Sequence, residues 1–193
     1  MKEEKAKKVV IIAGPNGSGK TTLSEELLKD QKMKFINADI IAKELNPEDV
    51  NSVSFKSGKI FLRNISEKIE TNQSFAIEST LAGSYLIKII KRLKEKNYKI
   101  SLIYLFLDNP DISIQRIAVR VRKGGHHISD DYVIRRFYRS KKKFWNTYRK
   151  LVDDWQLFYN GGEFLVSVAS GMETNYEVFD KKKFVLFWKD ILW

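Results

Sequence analysis

The stretch from Gly14 to Thr21, GPNGSGKT, constrains the fold of this chain more than any other feature. It matches the pattern G-x-x-x-x-G-K-T and lies between a β-branched apolar run at 9–13 and a helical pattern at 22–28. In this setting the glycines let the chain turn tightly enough for successive backbone N–H groups to face phosphate oxygens. The helix that follows directs its positive end at the same place. The sequence therefore predicts a phosphate loop that binds a nucleoside triphosphate.

Two side chains of this loop carry distinct expectations. The Lys20 ammonium is expected to reach the outer phosphates as a point charge, and the Thr21 hydroxyl is expected to ligate Mg²⁺. A nucleoside triphosphate and Mg²⁺ are therefore the expected ligands. The other residues expected to contact the nucleotide are Gly14, Pro15, Asn16, Gly17, Ser18, Gly19 and Thr22.

Helical and strand patterns alternate after the loop. Strands are predicted over 9–13, 34–36, 75–77 and 100–107, and helices over 22–30, 40–45, 53–70, 85–96, 111–123 and 129–151. Two short strands at 155–159 and 164–169 are predicted to form a terminal hairpin or the last strands of the sheet, and a helix over 180–193 closes the chain. Strands separated by helices indicate a parallel sheet that is covered on both faces. We expect a three-layer α/β fold of the P-loop type with a mostly parallel central sheet, in a single domain over 1–193.

Composition narrows the class of protein. The 193 residues include no cysteine, which excludes disulfides and cysteine-ligated zinc. No run approaches the roughly 18 apolar residues that a membrane span requires, and the N-terminus lacks the apolar region of a signal peptide. A cytoplasmic protein without membrane contact is expected.

Three acidic residues follow predicted strands. Because the carboxyl ends of parallel strands meet at one edge of a sheet, Asp39, Glu78 and Asp108 are expected to gather near Lys20. Asp39 is the candidate that accepts the proton of an acceptor hydroxyl or binds the water shell of the metal. Capping of the next helix is the alternative role for Asp39. Asp108 precedes Asn-Pro, which favours a turn or a cap there.

Glu78 and Thr80 end the third predicted strand. Glu78 could ligate the metal shell or hold a substrate hydroxyl, and Thr80 could donate a hydrogen bond to the substrate. Capping of the helix that follows remains an equal alternative for both. Asn37, which ends the second strand, joins them as a candidate substrate contact.

Positive charge is concentrated between Ser113 and Lys150. This segment holds twelve Lys and Arg residues against two acids, a balance of +10 in a chain whose net charge is +11. A solvated helix face and a surface for polyanions are both consistent with this composition.

Arginines in this segment flank a pair of glycines, Gly124 and Gly125. Two basic helices joined by a glycine hinge suit a lid, at about 116–140, that closes over phosphates and excludes water. Arg120 and Arg136 are candidates to stabilise a transferred phosphoryl group, since the planar guanidinium suits its oxygens. Arg116 is a candidate nucleotide contact, and His126 is expected to make a hinge or lid hydrogen bond.

Several of these motifs together resemble the zeta-toxin-like kinases. They are GPNGSGKTT at 14–22, Asn37-Ala38-Asp39, Glu78-Ser79-Thr80 and the block from Arg116 to His126. The resemblance runs from about 9 to 159 and is to the short, stand-alone members. It implies a P-loop kinase that uses ATP and Mg²⁺, with Asp39 at the position of the catalytic aspartate. It also implies γ-phosphate or lid roles for the arginines that flank 124–125.

The resemblance further implies a substrate and a partner. Founding members phosphorylate a 3′-hydroxyl of UDP-N-acetylglucosamine and are inhibited by an antitoxin. This chain differs from them in its shorter length, in Ser129 where short members often have proline, and in Tyr159-Asn160-Gly161-Gly162 in place of aspartate–asparagine–serine. These differences concern the identity of the acceptor more than the chemistry of phosphoryl transfer.

The leading hypothesis is an ATP- and Mg²⁺-dependent small-molecule kinase whose acceptor is a hydroxyl, such as that of a UDP-N-acetyl sugar, with an antitoxin as protein partner. A polynucleotide 5′-hydroxyl kinase or a nucleoside kinase is the first alternative, in which the basic segment binds nucleic acid. A non-catalytic nucleotide-binding module is the second.

Overall fold

The computed structural model describes residues 6–29, 33–125 and 127–191. Within these residues seven strands form one sheet in the order β2-β3-β1-β4-β5-β6-β7. The strands are β1 (Lys8–Ala13), β2 (Lys34–Ile36), β3 (Phe75–Ser79), β4 (Lys99–Phe106), β5 (Asp154–Tyr159), β6 (Val166–Met172) and β7 (Asn175–Val178). Neighbours among the first five are parallel, whereas β6 and β7 pair antiparallel. The predicted α/β class with a mostly parallel sheet is confirmed.

Helices connect these strands. They are α1 (Lys20–Leu28), α2 (Ala38–Leu45), α3 (Ser54–Glu70), α4 (Tyr85–Glu95), α5 (Pro110–Arg122), α6 (Asp130–Asn146) and α7 (Lys181–Trp188), with a 3-10 turn at Tyr148–Lys150. Local sequence explains where two of them begin: the side-chain oxygen of Asn37 caps α2, and Asn109 followed by a proline caps α5. None of the described helices is both long and apolar enough to cross a membrane.

The structure differs from the prediction in its last third. The helix predicted over 129–151 ends at Asn146 and continues as the 3-10 turn. Strand β7 was absent from the prediction because three of its four residues are exposed, so the alternation that marks a half-buried strand is missing. The last helix, predicted over 180–193, spans only Lys181–Trp188, and positions 192 and 193 lie outside the described residues.

Aromatic side chains fill the core beneath the second half of the sheet. Tyr104 of β4 stacks on Phe144 of α6 with ring centroids 4.3 Å apart, and Trp155 of β5 packs edge-on against the same ring. Phe187 of α7 contacts Tyr104 and Phe144 from the other side. The C-terminal helix is thereby part of the core, and it fixes α6 against the sheet.

The basic segment at 113–150 does not form one surface. Lys141 is completely buried and pairs with Asp190, and burial lowers its pKa while the Asp190 carboxylate acts in the opposite direction. Arg149 is also buried, with its guanidinium 4.0 Å from the centre of the Trp145 ring. Two of the twelve cations are therefore core groups, which reduces the positive charge available at the surface.

Candidate active site

The phosphate loop leaves β1 between the ends of β3 and β4. The Gly14 N–H donates to the Ser79 carbonyl over 3.3 Å. A Cβ on Gly14 would lie 2.3 Å from the Leu105 carbonyl oxygen, and its φ of +148° is one that side chains rarely adopt. Only glycine fits this close approach of loop and strand. The predicted strand–loop–helix arrangement is present, with α1 beginning at Lys20.

The Lys20 side chain is buried at the base of the loop, with 6% of its surface exposed. Its Nζ donates to the Pro15 carbonyl over 2.9 Å and lies 3.7 Å from Oε1 of Glu78. Burial lowers the pKa of Lys20, whereas Glu78 and Asp39 act to raise it and Arg120 acts to lower it further. The ammonium is thus held inside the loop among groups of both signs.

Glu78, at the end of β3, connects the start of α1 to the end of β2. Its Oε2 accepts hydrogen bonds from the Thr21 hydroxyl and from the Asn37 side-chain amide, each over 2.8 Å. These contacts place Glu78 in the site and not in the alternative role of a helix cap. The Thr80 hydroxyl accepts the Ala82 N–H over 3.4 Å within the turn before α4, and the residue at the cap position of α4 is Ser84. Thr80 also lines the inner part of the cleft, and its role as a substrate contact stays a prediction.

Asp39 lies in the first turn of α2 and does not cap it. The capping oxygen belongs to Asn37, which accepts the N–H groups of Asp39 and Ile40 over 2.7 and 3.4 Å. The Asp39 side chain is exposed and lines the cleft. The capping alternative for Asp39 is therefore wrong.

Two cavities meet at the cleft. The inner one, of about 220 Å³, lies over the loop, and the outer one, of about 750 Å³, extends between α2, the 47–51 loop and α5. The residues that line both are Thr21, Asp39, Arg116 and Arg120. The inner cavity is also lined by Asn16, whose buried Oδ1 has no hydrogen-bond partner among the described residues. A polar atom of this kind is expected where a polar ligand binds.

The two arginines of α5 lie beside the loop. Arg116 Nη1 donates to the Gly17 carbonyl over 3.4 Å. Arg120 lies against Gly125, where an added Cβ would come within 2.7 Å of its Cγ. Glycine at 125 therefore leaves the space that the Arg120 side chain occupies. Both arginines line the inner cavity, and their roles toward the nucleotide and the phosphoryl group stay predictions.

Arg136 is placed apart from this group. Its guanidinium lies 4.0 Å from the centre of the Tyr132 ring and donates to the Tyr132 hydroxyl. It is absent from the described lining of both cavities. The second half of α6 is fixed to the loop after β3, where the Ser140 hydroxyl donates to the Thr80 carbonyl over 2.5 Å. The 3-10 turn after α6 is fixed there too, since the Tyr148 hydroxyl donates to the Gly83 carbonyl over 2.7 Å. Only the first half of α6 is thus free of these contacts.

Two further expectations have different outcomes. Asp108 accepts a hydrogen bond from the Tyr159 hydroxyl over 2.8 Å and lines neither cavity, so its expected place beside Lys20 is wrong. It points instead at the next strand, and Asn109 is the helix cap. His126 lies outside the described residues, and its role stays a prediction.

Oxygen ligands at the cleft fit Mg²⁺. Among the residues described there is no group of three or more His, Cys, Asp and Glu side chains that could hold a metal ion. Mg²⁺ needs no such group, because it is usually bound by one or two protein oxygens together with phosphates and water. The Thr21 hydroxyl and the Glu78 carboxylate, 2.8 Å apart at the inner cavity, supply that donor set.

Asn160 is a loop contact that the sequence did not indicate. Its side-chain amide donates to the Ser18 carbonyl over 2.8 Å. In the sequence Asn160 marks only a turn, because nothing in the local pattern reveals a partner 142 positions away. Other unpredicted residues line the outer cavity; they are Ile40, Lys43, Pro47, Glu48, Asp49, Val50, Asn51, Val119, Lys123 and His127.

The family model described as zeta toxin matches residues 1–166. The chain belongs to the zeta toxin family. A relative in Haemophilus influenzae, an uncharacterized protein, is 32% identical over 130 residues, which are 67% of this chain and 92% of the relative. A cytidylate kinase of Saccharolobus islandicus is 28% identical over 159 residues, 78% of each chain.

Solved structures with the same fold include toxins and kinases. The PezAT toxin–antitoxin system of Streptococcus pneumoniae matches this chain with a TM-score of 0.67 and 16% identity, over 99% of this chain and 88% of that one. The AvrRxo1-ORF1:-ORF2 complex matches with a TM-score of 0.75 and 16% identity, over 96% of this chain. This chain spans 64% of that AvrRxo1 chain. Family and fold together identify a P-loop kinase, a phosphotransferase of an ATP-binding family.

Proposed function

We propose that this zeta toxin family protein transfers the γ-phosphoryl group of ATP to a hydroxyl group of a small molecule, with Mg²⁺. One observation carries the proposal. The phosphate cavity and the larger outer cavity meet at Thr21, Asp39, Arg116 and Arg120. A carboxylate that can accept a proton therefore lies at the junction between the place of a phosphate donor and the place of an acceptor, which is the geometry that phosphoryl transfer requires.

The loop residues hold the donor. Backbone N–H groups of the loop and the N-terminus of α1 bind the phosphates, and the Lys20 ammonium moves from Pro15 and Glu78 toward them. The Thr21 hydroxyl and Glu78 would hold Mg²⁺, which when bound neutralises charge on the phosphate oxygens. Asn16 and Arg116 complete the inner wall.

Asp39 acts on the acceptor side. Its exposed carboxylate accepts the proton of the attacking hydroxyl as the new O–P bond forms and the bond between the γ-phosphorus and the bridging oxygen breaks, which releases ADP. Asn37 caps α2 and thereby keeps Asp39 at the helix start without using its carboxylate. Thr80, Asn37 and His126 are proposed as substrate contacts around that hydroxyl.

Arginines compensate the charge of the transferred group. Arg120 already lines both cavities. Arg136 is proposed to join it when the lid region at about 116–140 closes, leaving its stacked position on Tyr132. Closure would also exclude water from the site.

A UDP-N-acetyl sugar is the proposed acceptor, because the chain belongs to the zeta toxin family. The outer cavity of about 750 Å³ is within the range of sites that enclose a small molecule. An antitoxin is the proposed protein partner, since PezAT and AvrRxo1-ORF1:-ORF2 are complexes of this fold. We propose a single domain over 1–193 that works in the cytoplasm.

Incubation with γ-labelled ATP and a panel of UDP-sugars, nucleosides, nucleoside monophosphates and oligonucleotides tests the acceptor. Label on a UDP-sugar supports the proposal. Label only on oligonucleotide ends or only on nucleosides would replace it by the nucleic-acid or nucleoside alternative. Label only on cytidylate would show that the acceptor is a phosphate group and not a hydroxyl, as the name of the cytidylate kinase relatives suggests. ATP binding without phosphorylation of any acceptor would support the alternative of a non-catalytic nucleotide-binding module.

A further inference from the structure

Asn160 connects the end of β5 to the phosphate loop. Its backbone N–H donates to the Phe106 carbonyl over 2.9 Å, which fixes the residue beside the end of β4. Its side-chain amide donates to the Ser18 carbonyl over 2.8 Å. We propose that Asn160 is a positioning residue whose amide orients the Gly19 N–H toward the phosphates of the bound triphosphate.

The orientation follows from the planarity of the peptide bond. In a trans peptide the C=O and the N–H point to opposite sides. When Asn160 holds the Ser18 carbonyl, the Gly19 N–H is turned away from Asn160. Gly19 lines the inner cavity, and an N–H turned away from Asn160 is the orientation that we propose for contact with a ligand there.

The loop needs an external contact for this purpose. Gly17 and Gly19 have φ angles of +74° and +88°, and glycine adopts such angles about as readily as negative ones. The local backbone therefore does not select one orientation of the peptide between Ser18 and Gly19. A rigid partner on β5 can select it.

The contact is also close. A Cβ on Gly19 would lie 2.4 Å from the Asn160 Nδ2, so the amide nitrogen packs directly against this glycine. An aspartate at position 160 would have nearly the same shape, but its carboxylate accepts hydrogen bonds and would face the Ser18 carbonyl with like partial charge. Asn160→Asp therefore replaces an attraction by a repulsion, and Asn160→Ala, which removes the contact without adding a charge near the phosphates, isolates the effect of the lost hydrogen bond.

The inference rests on the proposed function only in that the ligand of the loop is a triphosphate. The experiment measures the affinity of the whole chain for ATP and for inorganic tripolyphosphate by calorimetry, together with thermal unfolding. Tyr159→Phe is the matched control, because it removes the neighbouring hydrogen bond to Asp108 and leaves the loop contact in place.

We expect Asn160→Asp to lower the affinities for ATP and for tripolyphosphate by the same factor, about tenfold or more. Asn160→Ala should lower both affinities by a smaller factor. The KM for ATP should rise by that factor, while kcat at saturating ATP changes by less than about threefold. Tyr159→Phe should bind both ligands as the unchanged protein does.

Three results would overturn the inference. The first is an unchanged affinity for tripolyphosphate in both Asn160 variants. The second is a loss of affinity for ATP alone, which would mean that Asn160 contacts the nucleoside. The third is an equal loss of affinity in Tyr159→Phe. An unchanged protein that binds tripolyphosphate but phosphorylates no acceptor would refute the proposed function and leave this inference standing. One that binds neither ligand would refute both.

Discussion

The Thr21 hydroxyl donates a hydrogen bond to Oε2 of Glu78 over 2.8 Å and thereby joins the phosphate loop to the end of β3. The same oxygen accepts the side-chain amide of Asn37, which ends β2. The other carboxylate oxygen lies 3.7 Å from the Lys20 ammonium. One carboxylate therefore contacts the groups proposed for metal, phosphate and substrate binding, and the protonation of Lys20 depends on it.

ATP affinity is expected to fall at alkaline pH. Burial lowers the pKa of Lys20 below its ordinary 10.5 in the free protein, with Arg120 acting in the same direction. Bound phosphates favour the ammonium and raise that pKa, so affinity is complete below the free-state pKa and is lost as pH rises from the free-state pKa through the higher bound-state pKa. Glu78 acts to raise the pKa, and Glu78→Gln should move the loss to lower pH. Calorimetry from about pH 7 to about pH 10, in buffers of different ionisation enthalpy, measures both affinity and proton uptake. A pH-independent affinity without proton uptake would contradict this prediction.

Asp39→Asn is expected to lower kcat by about 10²- to 10⁴-fold, because the amide cannot accept the hydroxyl proton. ATP binding and the melting temperature should stay nearly unchanged, since Asn37 supplies the cap of α2. Steady-state kinetics with the identified acceptor and ATP titrations provide the measurement. Glu48→Gln, which changes another exposed acid of the outer cavity, is the matched control. Equal activity of both variants would remove the general-base role.

Arg120→Ala is expected to lower kcat by about 10³- to 10⁵-fold, the range for an arginine that stabilises a transferred phosphoryl group. Arg136→Ala should lose at least about tenfold if lid closure carries this residue to the phosphates. Arg139→Ala, an exposed arginine of the same helix, is the control and should retain activity. If Arg136→Ala behaves like Arg139→Ala, α6 supplies no catalytic arginine.

The pair of Lys141 and Asp190 should govern stability and not catalysis. Asp190→Ala leaves the completely buried ammonium without its carboxylate and is expected to lower the free energy of unfolding by about 3–5 kcal/mol. Lys141→Met keeps an unbranched side chain among the rings of Phe106, Phe137 and Phe187. This substitution should change the free energy of unfolding by less than about 2 kcal/mol. Denaturant unfolding measures both. A larger loss in Lys141→Met than in Asp190→Ala would show that the ion pair itself is strongly stabilising.

Local sequence predicted most of the elements because their signals are local. Gly14–Thr21 follows an apolar strand, and α2 and α5 begin at asparagine caps that are readable in the chain. Strand β7 has no such local signal, because most of its side chains are exposed. It is recognised as a strand only by its antiparallel pairing with β6. The helix predicted to reach 151 ends at Asn146, and the 3-10 turn that follows it contacts the loop after β3 through the Tyr148 hydroxyl and the Gly83 carbonyl.

Spacing, apolar periodicity and strand order suffice to predict the phosphate loop, the mostly parallel sheet and the place of Asp39 after β2. The contacts of Glu78 with Thr21 and Asn37, of Asp108 with Tyr159 and of Asn160 with the loop are seen only in the folded protein. The division of the basic segment, with Lys141 in the core and Arg120 at the cleft, is likewise seen only there. Each of these depends on side chains that are far apart in the chain and meet only when the strands pair, and no local pattern records such a meeting.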